Sequence, residues 1–97
     1  MIACYIIYTA AFDKFYVGAT QGDVLTRLEK HNTKGYDNSA TAYTNDWEVY
    51  LIIVCTDYPQ AINIERHIKR MKSKIYIQNL KKYPEMIDKL LSQHRSH

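Results

Sequence analysis

The hydrophobic pattern opens with an apolar, β-branched run at residues 2–9, IACYIIYT. A short connection at Ala10–Asp13 leads into a second run at residues 14–18, KFYVG. Two such runs so close together predict an antiparallel hairpin, and without an Asn-Gly pair the turn type stays open. The period then becomes helical. Thr20 stands as an N-cap with Asp23 three residues on, and the helix runs to about Asn32 with Val24, Leu25 and Leu28 as its core stripe. Residues 33–46, TKGYDNSATAYTND, form a fourteen-residue polar loop, a length that is often functional. Residues 47–56, WEVYLIIVCT, are apolar at both alternate sets after Glu48. That is the pattern of a strand in the middle of a sheet, covered on both faces.

The rest of the chain is helical. Asp57 caps a helix with Pro59 in its first turn and Gln60 at the capping-box position. This helix runs to about Lys72 and buries Ala61, Ile64, Ile68 and Met71. Ser73 caps a third helix, to about Lys82, with Ile75, Ile77 and Leu80 as its apolar residues. Pro84 breaks it, and a last amphipathic helix ends near Gln93 with Met86, Ile87, Leu90 and Leu91 on one face. The order β-β-α-β-α-α with a C-terminal helix predicts an α+β fold, a three-stranded, mainly antiparallel sheet flanked by helices. One domain spans residues 1–93, and residues 94–97 form a frayed tail. With 97 residues, the chain holds one core and not two.

Composition narrows the class. Hydrophobic residues at 46% and charged residues at 24% are ordinary for a soluble globular protein. No apolar run reaches the roughly 20 residues of a membrane span. The apolar start has no basic n-region and reads as a strand, not a signal peptide. Cys4 and Cys55 fall in predicted strands and read as buried, reduced thiols, which makes the cytoplasm the expected compartment, although a bridge between neighbouring strands is also compatible with the spacing. Net charge is only +3, but residues 66–82 carry Arg66, Lys69, Arg70, Lys72, Lys74, Lys81 and Lys82 with no acid among them. That run is either a solvated helical surface or a patch facing phosphates.

Several polar side chains stand where packing does not ask for them. Arg27 and His31 are four apart and share a helix face, offset from the predicted stripe. Glu65 falls roughly 70° from the centre of its helix's buried stripe, at about 100° per residue, which leaves its carboxylate half desolvated. Tyr5 and Tyr16 come from the two arms of the hairpin. Each has a plain structural role open to it: strand tyrosines at a core edge, a surface arginine, a histidine complementing a helix C-terminus, a glutamate paired with Lys69 at i+4.

Taken together, these residues resemble the GIY-YIG nucleases. The first signature of that family reads Ala3-Cys4-Tyr5 here and the second reads Tyr16-Val17-Gly18. The family's arginine matches Arg27 in DVLTRLEKHN, the histidine one turn later matches His31, and the metal-binding glutamate matches Glu65 in AINIERHIKRMKS. The resemblance covers roughly residues 3–82. It is nearest to the small stand-alone bacterial members and extends to the nuclease half of the repair excinuclease. The glycine and isoleucine of the first tripeptide are missing, and Ala19 stands where some members place a lysine. Asn79 stands near the asparagine that ends the module in many members.

What the resemblance implies is a metal-dependent endonuclease, hydrolysing DNA phosphodiester bonds in repair or processing. It uses one Mg²⁺ or Mn²⁺ ion on Glu65 and no small-molecule cofactor. Tyr5, Tyr16, Arg27, His31 and Glu65 are the implied catalytic residues, and the roles of the two phenols stay open. Gly18 would let backbone approach the phosphate. Lys69, Lys72 and Lys74, with Asn79, would contact nucleic acid along its backbone, which predicts low sequence preference. Tyr36, Tyr43 and Trp47 either stack on bases or close the core. The alternative is a catalytically inactive nucleic-acid-binding module of the same fold, and a third option is an interaction domain whose basic helix meets an acidic protein. A partner protein or a homodimer is left open.

Overall fold

The computed structural model describes residues 1–33 and 40–95. Three strands, β1 (Ala3–Thr9), β2 (Lys14–Thr20) and β3 (Glu48–Val54), are joined by four helices, α1 (Val24–Asn32), α2 (Tyr58–Met71), α3 (Lys74–Lys82) and α4 (Pro84–Gln93). The strands form an antiparallel sheet in the order β2-β1-β3. One face of the sheet carries Ala3, Tyr5 and Ile7 from β1, packed with Val24 of α1 and with Trp47. The other carries Cys4 and Ile6, packed with Val17, Ile53 and the Ala61, Ile64 and Ile68 stripe of α2. The fold is therefore a three-layer α+β arrangement, as the order of elements predicts.

The central strand is β1, not the third strand as its pattern suggested. Apart from the half-buried Tyr8, every residue of β1 is buried, whereas β3 lies at an edge with Ile52 and Val54 exposed. The double apolar pattern of β3 has a different cause. Ile6 pairs with Leu51 but Ile7 pairs with Val49, so Tyr50 is an extra residue in a β-bulge. A bulge reverses the alternation of faces. Trp47 and Val49 consequently join the α1 side, while Leu51, Ile53 and Cys55 join the α2 side.

Three helix assignments also shift. Thr20 ends β2 and does not cap α1. The cap is Asp23, whose carboxylate accepts from Leu25 N. On α1, Leu25 is 63% exposed, and the face turned to the sheet holds Val24, Arg27, Leu28 and His31. Arg27 and His31 are thus on the packed face, not offset from it. Met71 and Ile75 are exposed at the corner between α2 and α3. That corner is sharp because Lys72 adopts left-handed backbone (φ 48°, ψ 42°), after which Ser73 Oγ accepts from Tyr76 N to start α3. At the other end of α2, Asp57 accepts from Gln60 N at 2.9 Å.

Cys4 and Cys55 are buried and free. Burial pushes both thiols above their ordinary range, more strongly for Cys4. Among the described residues, no helix is long and apolar enough to cross a membrane.

Candidate active site

The sheet order decides where side chains can meet. Because β2 has a free edge, groups from the α1 face and the α2 face can both reach around it. A pocket of about 200 Å³ lies there, lined by Tyr5, Tyr16, Gly18, Ala19, Arg27, His31 and Glu65. The five side chains singled out in the sequence are all in that lining, although Glu65 belongs to the opposite layer from the rest.

Each is held by identifiable contacts. Tyr5 is buried in the central strand, and its hydroxyl pairs with His31 Nε2 at 3.0 Å. The other ring nitrogen, Nδ1, pairs with Thr41 Oγ1 at 2.6 Å. Thr41 is in turn fixed by the indole of Trp47, which donates to its carbonyl at 3.0 Å. Trp47 is itself clamped to the end of α1: its N–H donates to Asn32 Oδ1 at 2.7 Å, and Asn32 Nδ2 donates to its carbonyl at 2.9 Å. A chain of hydrogen bonds therefore leads from a buried indole to the pocket phenol. Burial, and secondarily the charge of Arg27, hold the His31 pKa below its ordinary value, which favours the neutral ring. A neutral imidazole has one donor and one acceptor nitrogen, matching its two partners.

Arg27 donates from Nε to Thr20 Oγ1 at 3.2 Å, and the same oxygen accepts from Gly22 N at 3.0 Å. Thr20 is fully buried, so it orients the guanidinium from a rigid strand end. The side chain of Glu65 is 17% exposed, at the margin expected from its helical angle, and its Oε1 accepts from Lys69 Nζ at 2.9 Å. Lys69 is 48% exposed and also lies over the Tyr16 ring, 5.5 Å from its centroid. A pair so open to water is worth about 0–1 kcal/mol, and the ammonium is easily displaced.

Gly18 lines the pocket and has a steric role there beside the expected one. It stands opposite Tyr5 in the register, and a Cβ built there would lie 2.5 Å from Tyr5 Cζ and 2.6 Å from its hydroxyl oxygen. The missing side chain makes room for the phenol, and no left-handed backbone is involved.

These residues sit within a matched stretch: residues 1–83 fit the family model of the GIY-YIG catalytic domain. The chain belongs to the GIY-YIG family. No curated protein and no solved structure matches it. Membership assigns it a catalytic domain of nuclease type.

Beside the GIY-YIG pocket, a second cavity of about 400 Å³ runs along β2 at the α2–α3 corner. Phe15, Val17, Ile68 and Ile77 line its apolar part, and Lys14, Lys69, Lys72 and Lys74 are its cations. Tyr16 lines both cavities. Lys72 and Lys74 are thus brought close to the pocket. Asn79 lines neither cavity. The basic run does not form one face. Lys81 lies over the Tyr50 ring at 4.4 Å, Lys82 over Tyr83 at 5.4 Å, and Lys74 is tied to Asp13 at 3.0 Å. Of the three loop aromatics, Trp47 closes the core. Tyr43 is exposed and packs edge-on against Phe12, and Tyr36 lies outside the described residues.

Among the described residues there is no cluster of three or more His, Cys, Asp or Glu side chains that would enclose a metal. A lone carboxylate of modest exposure with a displaceable ammonium partner does not suit a closed zinc site. It suits a hard cation that keeps most of its waters, and Glu65 is the group that would hold one.

Sequence reasoning missed Thr20, Thr41 and Lys14. Thr20 was hidden by its resemblance to a helix cap. Thr41 sits in a polar loop with nothing local to mark it. Lys14 is separated from the basic run by most of the chain.

Proposed function

We propose that this GIY-YIG protein is a metal-dependent endonuclease that hydrolyses DNA phosphodiester bonds with little sequence preference, in repair or processing of DNA. The observation that carries the reading is the meeting of the Glu65 carboxylate, the Arg27 guanidinium and the Tyr5–His31 pair around the free edge of β2. A single Mg²⁺ or Mn²⁺ ion on Glu65 would supply Lewis-acid polarisation of the scissile phosphate and neutralise charge on the leaving oxygen.

The chain's own residues supply the rest. Arg27, with Nε anchored on Thr20, would hold the non-bridging oxygens as negative charge builds. Tyr5 is the phenol of the proton path. A free phenol, with a reference pKa of about 10, is a poor base at neutral pH, so its proton must have somewhere to go. Neutral His31 takes it at Nε2 while its Nδ1–H donates to Thr41, and Tyr5 oxygen then accepts the proton of the attacking water. Tyr16 is half-buried and lines both cavities, and it orients the water or a phosphate oxygen. Lys69 leaves Glu65 for the phosphate backbone. Contacts of this kind carry affinity without reading bases, which accounts for low sequence preference. Two free thiols suit the cytoplasm.

The test is incubation of the purified protein with labelled duplex, flap and branched DNA in Mg²⁺, Mn²⁺ or EDTA. Cleavage is expected with either metal and not in EDTA. Glu65→Gln should abolish cleavage with DNA affinity kept within about twofold. Cleavage that survives EDTA or Glu65→Gln would remove the carboxylate from the mechanism. DNA binding without cleavage under any metal would leave a binding module.

A further inference from the structure

The cavity at the α2–α3 corner shares Tyr16 and Lys69 with the chemistry above, which leaves the rest of its lining unused. Its volume of about 400 Å³ is within the range of small-molecule sites. Its construction is specific: an apolar floor that includes Phe15 and Ile77, with lysines around it. Lys14 and Lys72 are exposed and have no ion-pair partner among the described residues. An apolar floor with unpaired cations is complementary to a ligand with a flat, weakly hydrated body and anionic ends, which describes a nucleotide.

Its position is equally specific. Residues 14–17 of β2 line this cavity and residues 16, 18 and 19 line the candidate active site, so the two lie end to end along one strand edge. At about 3.3 Å per residue their centres are roughly 7 Å apart along the strand, the reach of an adjoining nucleotide. A base inside a duplex is stacked and paired and cannot enter an apolar recess at the level of the phosphates. A base in single-stranded DNA enters without the cost of unpairing.

We propose that this cavity is a subsite for one unpaired nucleotide next to the scissile phosphate, so that the substrate is a strand single-stranded on one side of the cut, as at a flap or branch. The proposal rests on the nuclease reading of the neighbouring pocket. Lys74, which lines the cavity, also makes an exposed contact with Asp13 of the hairpin turn. With apolar side chains as the floor, base identity goes unread.

The experiment measures binding without cleavage. The wild-type protein in EDTA is titrated, by fluorescence anisotropy, into a blunt DNA duplex and into the same duplex with a single-stranded flap of either polarity. The flap substrate is expected to bind at least tenfold more tightly. In Lys14→Gln/Lys72→Gln that preference should fall below twofold, with the melting curve showing the fold intact. A second readout is methyl NMR, in which the Val17, Ile68 and Ile77 signals should move on addition of a short single-stranded oligonucleotide. Equal affinity for blunt and flap DNA, a preference that survives the double variant, or methyl signals that stay fixed while the oligonucleotide binds would overturn the subsite. So would shifts produced by an acidic peptide and by no oligonucleotide. A protein that cleaves no DNA in any metal overturns the nuclease reading in a different assay, so the two failures are told apart.

Discussion

Tyr5 and Gly18 face each other across the β1–β2 pair, and the Tyr5 phenol occupies the volume that a side chain at position 18 would need. The glycine of the second signature is therefore bound sterically to the tyrosine of the first. Gly18→Ala should push the ring aside and separate its hydroxyl from His31. Overpacking of this kind costs about 1–3 kcal/mol. The expected result is a lowered denaturation midpoint together with at least a tenfold loss of cleavage. An alanine variant with wild-type stability and rate would show that the ring moves freely.

Thr41 holds the far nitrogen of His31. Thr41→Val keeps the shape and removes this hydrogen bond from a buried ring nitrogen, at a cost of about 1–3 kcal/mol. Cleavage should fall at least tenfold, and Thr41→Ser should restore most of it. The pH–rate profile distinguishes positioning from packing. In the proposed mechanism the neutral ring is the working form, and its pKa is held below the ordinary 6.5, so the acid limb should lie under that value in the wild type. Without the Thr41 oxygen the charged ring, which donates from both nitrogens, is disfavoured further, and the limb should move to still lower pH. A rate loss with an unmoved limb would assign Thr41 to packing alone.

Arg27 is aimed by Thr20, not merely placed near the pocket. A lysine has no Nε–H to anchor in this way and no planar fork. Arg27→Lys should therefore lose most of what Arg27→Ala loses, two orders of magnitude or more in kcat, even though the charge is kept. Thr20→Val, nearly isosteric in a strand, should lower kcat with little change in DNA affinity. Single-turnover kinetics on both variants checks this, and an Arg27→Lys rate within threefold of wild type would refute the aiming role.

Acid stability should fall in two windows. The His31 and His94 pKa values are lowered, chiefly by burial, so below about pH 6.5 the unfolded chain binds protons that the folded one does not, and stability declines as pH drops. Asp46 accepts from Thr44, Thr9 and Ala11 N, which holds its pKa at about 2 against an ordinary 3.8. Its contribution is complete above about pH 4 and disappears between there and about pH 2. Melting temperatures from pH 8 to pH 2 should show both declines, and Asp46→Asn should lower stability near neutrality and flatten only the lower window.

Much of this was legible along the chain. Hydrophobic runs, caps at Asp57 and Ser73, and breaks at Pro84 are local signals, and each produced the expected element. The pocket residues were legible through their spacing in two tripeptides and two helices. The misreadings have a common origin. In β3 both alternate sets are apolar because a bulge at Tyr50 reverses the faces, and a bulge is defined by the register with β1, a partner more than forty residues away. Thr20 fits a helix cap until its pairing with Ala3 extends β2.

By itself the sequence determined which segments are strands and helices, because backbone preference and the period of burial are properties of neighbouring residues. It also determined which functional groups are available. Only the tertiary structure decided that β1 is central and β2 lies at an edge, since strand order is set by which hydrophobic faces can be covered at once. That order lets a carboxylate from one layer meet a guanidinium, an imidazole and two phenols from another. It also sets an apolar, lysine-lined recess beside them.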